Sequence, residues 1–257
     1  MSLFERMTQP AQVLVYGASR GIGLALCEQL LARHDVAQVF AVARHATQSP
    51  GLAQLSEQQG TRLVRVDNDA RNETDLAALA TQIGQSTQQL NLVISTLGIL
   101  QEEPAKAEKG LAQLDMDGLL ASFRSNTFAP ILLLKHLLPL LRGRHPCCFA
   151  ALSARVGSIG DNHLGGWYSY RASKAALNQL LRTASIELKR LNPSATILSL
   201  HPGTTDTQLS KPFQANVPAD KLFTCEFSAS RLLELVDRHG PQDTGSFLAW
   251  DDTPIPW

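Results

Sequence analysis

The chain of 257 residues carries 23 basic and 23 acidic side chains, and 44% of its residues are hydrophobic. This composition is ordinary for a chain with a buried core, and the balanced charge argues against a nucleic-acid or membrane partner held by bulk electrostatics. Residues 1–10 contain no apolar signal segment, and no run reaches the ~18 apolar residues that a membrane helix needs, so we expect a cytoplasmic location.

Short apolar runs alternate with helical patterns from end to end. We predict strands at residues 12–16, 39–43, 63–66, 92–97, 147–152, 196–200 and 247–250. We predict helices at residues 21–32, 74–83, 116–141, 173–191 and 228–239, the last with Ser228 as its N-cap. Several strands are apolar nearly throughout, as in a parallel sheet that is covered on both faces. The alternation predicts one α/β domain over residues 1–257, with a seven-stranded, mostly parallel, doubly wound sheet and helices on both faces.

Some features interrupt this pattern. Pro130 and Pro139 should bend or break the long central helix. Residues 101–110 fit no regular element, and neither do residues 203–227. We expect residues 204–227 to line or cover a substrate pocket, because long loops in compact domains are often lids. The Phe side chains of the second segment either favour an apolar substrate or pin the loop to the core. They are Phe213, Phe223 and Phe227.

The four cysteines show no spacing that is typical of a metal or redox site. Cys147 and Cys148 are neighbours inside a predicted strand, so their side chains point to opposite faces. Together with Cys27 and Cys225, they are interpreted as small core residues in a reducing compartment. We therefore predict no metal site.

The first predicted strand runs into a glycine-rich loop that opens a helix. The spacing Gly-x-x-x-Gly-x-Gly lets the backbone turn tightly and approach a pyrophosphate at the N-terminus of the helix. Such a spacing also occurs in plain glycine turns, but the strand–loop–helix context favours a dinucleotide site. The predicted contacts are Gly17, Ser19, Arg20, Gly21, Ile22 and Gly23.

The end of the second strand bears on the choice of cofactor. An acidic residue there would hold the ribose 2′-hydroxyl of NAD, but the sequence has Ala43, Arg44 and a His. Arg44, helped by Arg20, suits a 2′-phosphate, so we predict NADP(H). The alternative is that Arg44 is an ordinary solvated loop residue. Asp67, after the third strand, either accepts a hydrogen bond from the adenine amino group or serves only as a turn or cap residue.

Tyr170 and Lys174 lie four residues apart at the start of a helical pattern, so they share one face of the helix. A nearby cation stabilises phenolate and brings a phenol that titrates near ~10 toward use as a general acid or base. Tyr168 is the rival phenol, but it has no Lys four residues later. Ser153 ends an apolar run, where α/β sheets place their sites, and can hydrogen-bond a carbonyl oxygen there. Ser158 is its rival in the same loop.

In their order along the chain, these motifs resemble the classical short-chain dehydrogenase/reductase family from Gly17 to Thr207. Within that family the chain is similar to the C-factor-like and sniffer-like carbonyl reductases, through the stretch from Ser153 to Tyr170 and through residues 201–207. The resemblance implies a Rossmann-type fold, a nicotinamide cofactor and oxidoreductase chemistry.

The resemblance also implies a role for each matching residue. Tyr170 would exchange a proton with the substrate, while Lys174 would bind the nicotinamide ribose and lower the pKa of Tyr170. Ser153 would polarise and orient the carbonyl. Asn126 matches the fourth member of the catalytic set, which supports a water-linked proton relay near the lysine. The contacts at the nicotinamide end would be Pro202, Gly203 and Thr207.

Two departures from the family pattern matter. Where the family usually has Asn-Asn-Ala-Gly after the fourth strand, residues 95–98 are Ser-Thr-Leu-Gly, so only Gly98 survives as a cofactor contact. The gap between Ser153 and Tyr170 is longer than in most classical members, although the finer subfamily tolerates it.

We therefore predict an NADP(H)-dependent oxidoreductase that transfers hydride between nicotinamide and a small carbonyl or alcohol, with Tyr170 as the general acid or base. The alternative is a nucleotide-sensing signalling protein on the same scaffold, as the C-factor resemblance permits. The family also implies a homodimer or homotetramer formed through helices matching residues 116–141 and 173–191. Residues 250–257, with two Trp and two Pro, would dock on the body of the protein or reach a partner subunit.

Overall fold

The computed structural model describes residues 3–257, and nine strands occur in that part of the chain. In chain order they are β1 (Ala11–Tyr16), β2 (Val36–Ala43), β3 (Leu63–Asp67), β4 (Leu92–Ser95), β5 (Cys147–Leu152), β6 (Ala195–His201), β7 (Thr204–Thr205), β8 (Leu222–Phe223) and β9 (Ser246–Ala249). Within residues 3–257 the main sheet has seven strands, in the order β3-β2-β1-β4-β5-β6-β9, and every pairing is parallel. β7 and β8 form a separate parallel pair.

Helices cover both faces of this sheet. They are α1 (Gly21–Leu31), α2 (Pro50–Gln59), α3 (Glu73–Ser86), α4 (Met116–Phe123), α5 (Ala129–Leu141), α6 (Tyr168–Leu191) and α7 (Cys225–Arg238). Alternate side chains of β1 point to opposite faces, so Val13 and Val15 join one apolar cluster with α1, α2 and α7. Leu14 and Tyr16 join the other cluster with α3, α5 and α6. The predicted doubly wound α/β fold is confirmed.

The predicted central helix is two helices joined by a π-helical turn. The turn spans Arg124–Phe128, and the backbone N–H of Ala129 donates to the carbonyl of Arg124. Pro130 follows immediately in the first turn of α5, whereas Pro139 lies inside that helix. Proline has no N–H and its ring crowds the carbonyl four residues earlier, here that of Asn126. The local change in helix type accommodates Pro130, as expected from the sequence, and the turn carries Asn126.

Two predicted helix starts were wrong. The N-cap of α7 is Thr224, whose hydroxyl accepts from the backbone N–H of Phe227 at 3.1 Å. Ser228 is instead buried inside the helix, where its hydroxyl pairs with that of Thr205 at 2.6 Å. α6 begins at Tyr168, five residues before the predicted start, because its first turn is polar and lacks the apolar stripe.

The C-terminal segment docks on the body of the protein, one of the two alternatives predicted. The backbone N–H of Ile255 donates to the carbonyl of Phe247 at 2.9 Å, and the ring of Trp257 stacks on that of Phe247. The carbonyl of Trp257 also accepts from the N–H of Gly160 at 2.9 Å. This contact ties the end of the chain to the loop that precedes Tyr170.

Within residues 3–257, no helix has the length and apolar character that crossing a membrane requires. The same part of the chain contains no group of three or more His, Cys, Asp or Glu side chains arranged to hold a metal ion.

Candidate active site

A large cleft lies where the strand order of the sheet reverses. β1 neighbours β2 on one side and β4 on the other, which makes a topological switch point, and open α/β sheets bind ligands beyond the carboxyl ends of strands at such points. The cleft has a volume of about 1270 Å³, above the ~300–1,000 Å³ of typical small-ligand sites. Its size can accommodate a dinucleotide together with a small substrate.

The glycine-rich loop between β1 and α1 forms one wall of the cleft. Gly17 has a φ of +88°, and a Cβ there would lie 2.2 Å from Oγ1 of Thr96. A Cβ on Gly23 would lie 2.2 Å from the carbonyl oxygen of Gly17, so the loop packs too closely for other residues. All six residues predicted from this loop line the cleft. They are Gly17, Ser19, Arg20, Gly21, Ile22 and Gly23.

The segment after β4 braces this loop through a contact that the sequence did not reveal. Oγ1 of Thr96 donates to the carbonyl of Tyr16 at 2.9 Å and also lies 3.3 Å from the carbonyl oxygen of Gly17. Thr96 is one of the residues at which the chain departs from the family pattern, and its side chain thus supplies a hydrogen bond from the segment after β4 to the start of the loop. Gly98 lines the cleft as predicted, and a Cβ there would lie 3.2 Å from Nζ of Lys174. A side chain at Gly98 would therefore crowd the lysine.

Arg44 lines the cleft after β2, where it belongs to a charged network. Its Nη1 lies 3.2 Å from Oε1 of Glu102, and Nη1 of Arg71 lies 3.7 Å from the same oxygen. Arg71 also pairs with Asp69 at 2.8 Å. All four side chains line the cleft. Sequence reasoning missed Glu102, Arg71 and Asp69.

The structure does not bring Asp67 to the cleft. Its carboxylate accepts from the backbone N–H of Thr47 at 2.8 Å and from the Thr47 hydroxyl at 2.5 Å. These hydrogen bonds hold the pKa of Asp67 below its usual range. Asp67 therefore corresponds to the turn alternative, and Asp69, two residues later, is the carboxylate that faces the cleft.

Tyr170 and Lys174 lie in the first turns of α6, and both are buried in the cleft wall. Nζ of Lys174 donates to the carbonyl of Leu152 at 2.8 Å and lies 5.9 Å from the centroid of the Tyr170 ring. Burial raises the pKa of Tyr170 and lowers that of Lys174 to about 7. Desolvation acts against the charge on both groups, so burial opposes the expected lowering of the phenol pKa by the lysine.

The two rival residues, Ser158 and Tyr168, lie outside the cleft wall. Ser153 lines the cleft, and its buried Oγ has no hydrogen-bond partner within residues 3–257. Ser158 is also buried, but its Oγ accepts from the N–H of Asp161 at 3.1 Å. Tyr168 is 39% exposed on the protein surface. The geometry therefore favours Ser153 and Tyr170 over these alternatives.

Asn126 sits behind the cleft in the π-helical turn. Its Oδ1 accepts from the N–H of Ile99 at 2.7 Å, and its Nδ2 donates to the carbonyl of Ile99 at 2.9 Å. Nδ2 also donates to the hydroxyl of Ser173 at 3.0 Å. Asn126 thus joins the segment after β4 to α6, next to Lys174. π-Turns inside helices are frequent at functional sites.

A buried carboxylate holds the start of α6. The N-cap of this helix, Trp167, has a φ of +50° and no side-chain cap of its own. Oε2 of Glu108 accepts from the backbone N–H of Ser169 at 3.3 Å, and Oε1 accepts from the Ser169 hydroxyl. The carbonyl of Glu108 accepts from the N–H of Trp167 at 2.5 Å. Glu108 comes from the irregular segment 101–110, so sequence spacing gave no signal for this contact.

The segment after β6 closes the cleft from the side of α7. Pro202, Gly203 and Thr207 line it as predicted. Gly203 has a φ of +76°, and a Cβ there would lie 2.5 Å from the ring of Phe223. Sequence reasoning missed His201, which also lines the cleft. Burial lowers the pKa of His201 to about 4, so its imidazole is neutral near pH 7.

These features fit a nicotinamide dinucleotide. The N-terminus of α1 faces the cleft without a side-chain cap, which leaves backbone N–H groups for a phosphate. Side chains of Arg20 and Arg44 supply positive charge beside it. The unpartnered Oγ of Ser153 lies in the same wall as Tyr170, where a substrate oxygen would need hydrogen bonds.

Comparison with known proteins agrees with this architecture. The family model "short chain dehydrogenase" matches residues 11–218. C-signal of Myxococcus xanthus is 33% identical over 147 residues, which is 57% of this chain and 83% of that protein. Carbonyl reductase Sniffer of D. melanogaster is 26% identical with a TM-score of 0.85, covering 97% of this chain and 100% of that chain. A carbonyl reductase from Pseudomonas aeruginosa PAO1 in complex with NADP is 31% identical with a TM-score of 0.79, at the same coverage.

The predicted family resemblance is thereby confirmed, including its likeness to C-factor-like and sniffer-like proteins. The chain belongs to the short chain dehydrogenase family.

Proposed function

We propose that the protein is an NADP(H)-dependent oxidoreductase that interconverts a small carbonyl compound and its alcohol. One observation carries the proposal: Ser153, Tyr170 and Lys174 line the same cleft as the glycine-rich loop at the switch point of the sheet. A nicotinamide cofactor supplies hydride when bound, and the chain supplies position, hydrogen bonds and a proton.

Tyr170 is the proposed acid in reduction and base in oxidation. Its hydroxyl protonates the carbonyl oxygen as the carbon is reduced, while Oγ of Ser153 donates a hydrogen bond to the same oxygen. Burial raises the pKa of Tyr170, so the phenol keeps its proton at neutral pH until a developing alkoxide receives it. A proton on Nζ of Lys174 favours the phenolate that remains.

Arg44 and Arg20 are the proposed partners of the phosphate that distinguishes NADP from NAD. Guanidinium groups bind phosphate oxygens through paired hydrogen bonds, and both side chains line the cleft beside the glycine-rich loop. The solved relative from P. aeruginosa that was crystallised with NADP supports the same cofactor.

Aromatic side chains line the proposed substrate end of the cleft. Phe213 lines it and packs against Trp167, with ring centroids 5.0 Å apart. Phe223 and Phe227 instead pack against Trp250, which is the pinning alternative. These contacts support a pocket role for Phe213 and a pinning role for Phe223 and Phe227, and an apolar carbonyl compound is the substrate we propose.

The test is a fluorescence titration of the purified protein with NADPH and, separately, with NADH. We expect tighter binding of NADPH, followed by consumption of NADPH when a panel of apolar aldehydes and ketones is added. Tighter binding of NADH would overturn the assignment of Arg44 and leave the reductase chemistry standing. Binding of neither nucleotide would overturn the proposed function.

A signalling role is the second candidate because of the similarity to C-signal. The Tyr170→Phe variant separates the two candidates, since it removes the proton donor and leaves the glycine-rich loop intact. A biological effect that survives in this variant, with nucleotide binding unchanged, would favour signalling. An effect that disappears together with turnover would favour the oxidoreductase.

We also propose a homodimer or homotetramer formed through α4, α5 and α6. α4 exposes Met116 and Leu120, α6 exposes Ile186, and the π-turn between α4 and α5 exposes Phe128. Apolar side chains on neighbouring helices favour association. Sedimentation velocity should give the mass of two or four chains, and a single-chain mass would refute this arrangement.

A further inference from the structure

One carboxylate of this chain already pairs with Arg44, which is proposed to receive the cofactor phosphate, and with a second arginine of the cleft, Arg71. Oε1 of Glu102 lies 3.2 Å from Nη1 of Arg44 and 3.7 Å from Nη1 of Arg71. The side chains are half-exposed, at 39% for Glu102, 45% for Arg44 and 41% for Arg71. All three line the cleft.

Carboxylate and phosphate use the same donors on a guanidinium group, so the two anions compete for them. A Glu102 carboxylate that stayed in place would also repel a phosphate held by the same arginines. Because exposed ion pairs contribute little free energy, displacing Glu102 into water costs little. The carboxylate would thus reduce phosphate affinity without blocking the site.

We propose that Glu102 determines cofactor specificity by competing with the 2′-phosphate of NADP(H) for Arg44 and Arg71; this inference rests on the proposed function. Its effect falls on the group that distinguishes NADPH from NADH. Removal of the carboxylate charge therefore tightens NADPH binding and leaves NADH binding nearly unchanged. Since the groups are exposed, added salt reduces the gain.

The experiment titrates wild type, Glu102→Gln and Glu103→Gln with NADPH and NADH at low salt, using fluorescence. Glu103→Gln is the matched control, because it removes an exposed carboxylate one residue away that does not line the cleft. We expect Glu102→Gln to lower the Kd for NADPH by about 3- to 5-fold and to change that for NADH by less than about 2-fold. Glu103→Gln should change neither value appreciably.

Calorimetry with adenosine 2′-monophosphate and adenosine 5′-monophosphate provides a readout without the nicotinamide. Glu102→Gln should tighten the binding of adenosine 2′-monophosphate and leave that of adenosine 5′-monophosphate unchanged. In an Arg44→Gln background the gain in affinity from Glu102→Gln should be smaller. The guanidinium group for which carboxylate and phosphate compete is then gone, so the two substitutions are coupled.

Unchanged or weaker NADPH binding by Glu102→Gln would overturn the inference while leaving the proposed function intact. An equal gain for NADH and NADPH would also overturn it, since Glu102 would then act on groups that both cofactors share. If wild type binds neither nucleotide, the inference and the proposed function both fail.

Discussion

Two cationic side chains of the same cleft are held in opposite ways. Arg44 is half-exposed and pairs with the carboxylate of Glu102. Lys174 is buried, and its Nζ donates to the backbone carbonyls of Leu152 and Leu97 at 2.8 and 3.4 Å. The exposed pair can exchange partners at little cost, whereas burial changes the proton affinity of Lys174 itself. Substitutions in the buried part of the cleft, around Lys174, should therefore have larger effects on turnover and stability than substitutions around Arg44.

The largest effect is expected on turnover in Tyr170→Phe, because Tyr170 is buried beside Lys174. Loss of the hydroxyl removes the proposed proton donor, and general acid catalysis contributes about 10²- to 10⁴-fold, so kcat should fall by that factor. NADPH binding should persist because the glycine-rich loop is unchanged. Steady-state kinetics with any accepted carbonyl, together with the NADPH titration, measures both.

Tyr168→Phe is the matched control for this variant. It removes the same hydroxyl two residues away, from a side chain that is 39% exposed. Its turnover should remain at the wild-type level. Equal losses in both variants would mean that the phenol at Tyr170 has no special role.

The next effect concerns the stability of the protein without cofactor. Burial lowers the pKa of Lys174 to about 7 from an ordinary value near 10.5. Between these two values the unfolded chain binds more protons than the folded chain, so this lysine lowers stability as pH falls from about 10.5 to 7. Below about pH 7 both states bind the proton, and the penalty stays constant.

Lys174→Met removes the titrating group. The difference in Tm between this variant and wild type should therefore shift in favour of the variant as pH falls from 10 to 7, and then level off. Thermal unfolding monitored by circular dichroism across that range measures the shift. A difference independent of pH would show that the ammonium keeps its proton when buried, and the contrast with Arg44 would then disappear.

The parts of the site that depend on local spacing could be predicted from the sequence. Tyr170 and Lys174 share a helix face because of the i, i+4 geometry, and the glycines mark a tight turn between a strand and a helix. The seven strands of the main sheet could be predicted from short apolar runs. These signals lie within a few neighbouring residues, so they survive without tertiary information.

The parts that depend on tertiary contacts could not be predicted. Glu102 and Glu108 come from an irregular segment whose position no local pattern defines, yet one faces Arg44 and the other caps α6. Asp67 and Asp69 are two residues apart, and only the path of the chain beyond β3 decides which of them reaches the cleft. Burial, which shifts the pKa of both Tyr170 and Lys174, is likewise a property of the whole fold.

Glu102 and Glu108 extend the comparison to two carboxylates of one segment. Glu108→Ala would leave the buried N–H and hydroxyl of Ser169 without their partner, at a cost of about 1–3 kcal/mol. For a chain of this size the Tm should fall by about 3–10 °C. Turnover should fall as well, because the start of α6 carries Tyr170. Glu103 is an exposed carboxylate of the same segment, so the free energy of unfolding of Glu103→Ala should stay within about 0.5 kcal/mol of the wild-type value.

The smallest effect is expected at the substrate end, where Phe213 contacts the cleft and Phe223 contacts Trp250. Phe213→Ala removes apolar contact that ground state and transition state share, so KM for an apolar carbonyl should rise by about 3- to 10-fold with kcat nearly unchanged. Phe223→Ala should instead lower the Tm, because it leaves a cavity beside Trp250 and Gly203. If Phe213→Ala lowered the Tm and left KM unchanged, Phe213 would be a pinning residue, and the apolar character of the substrate would lose its support.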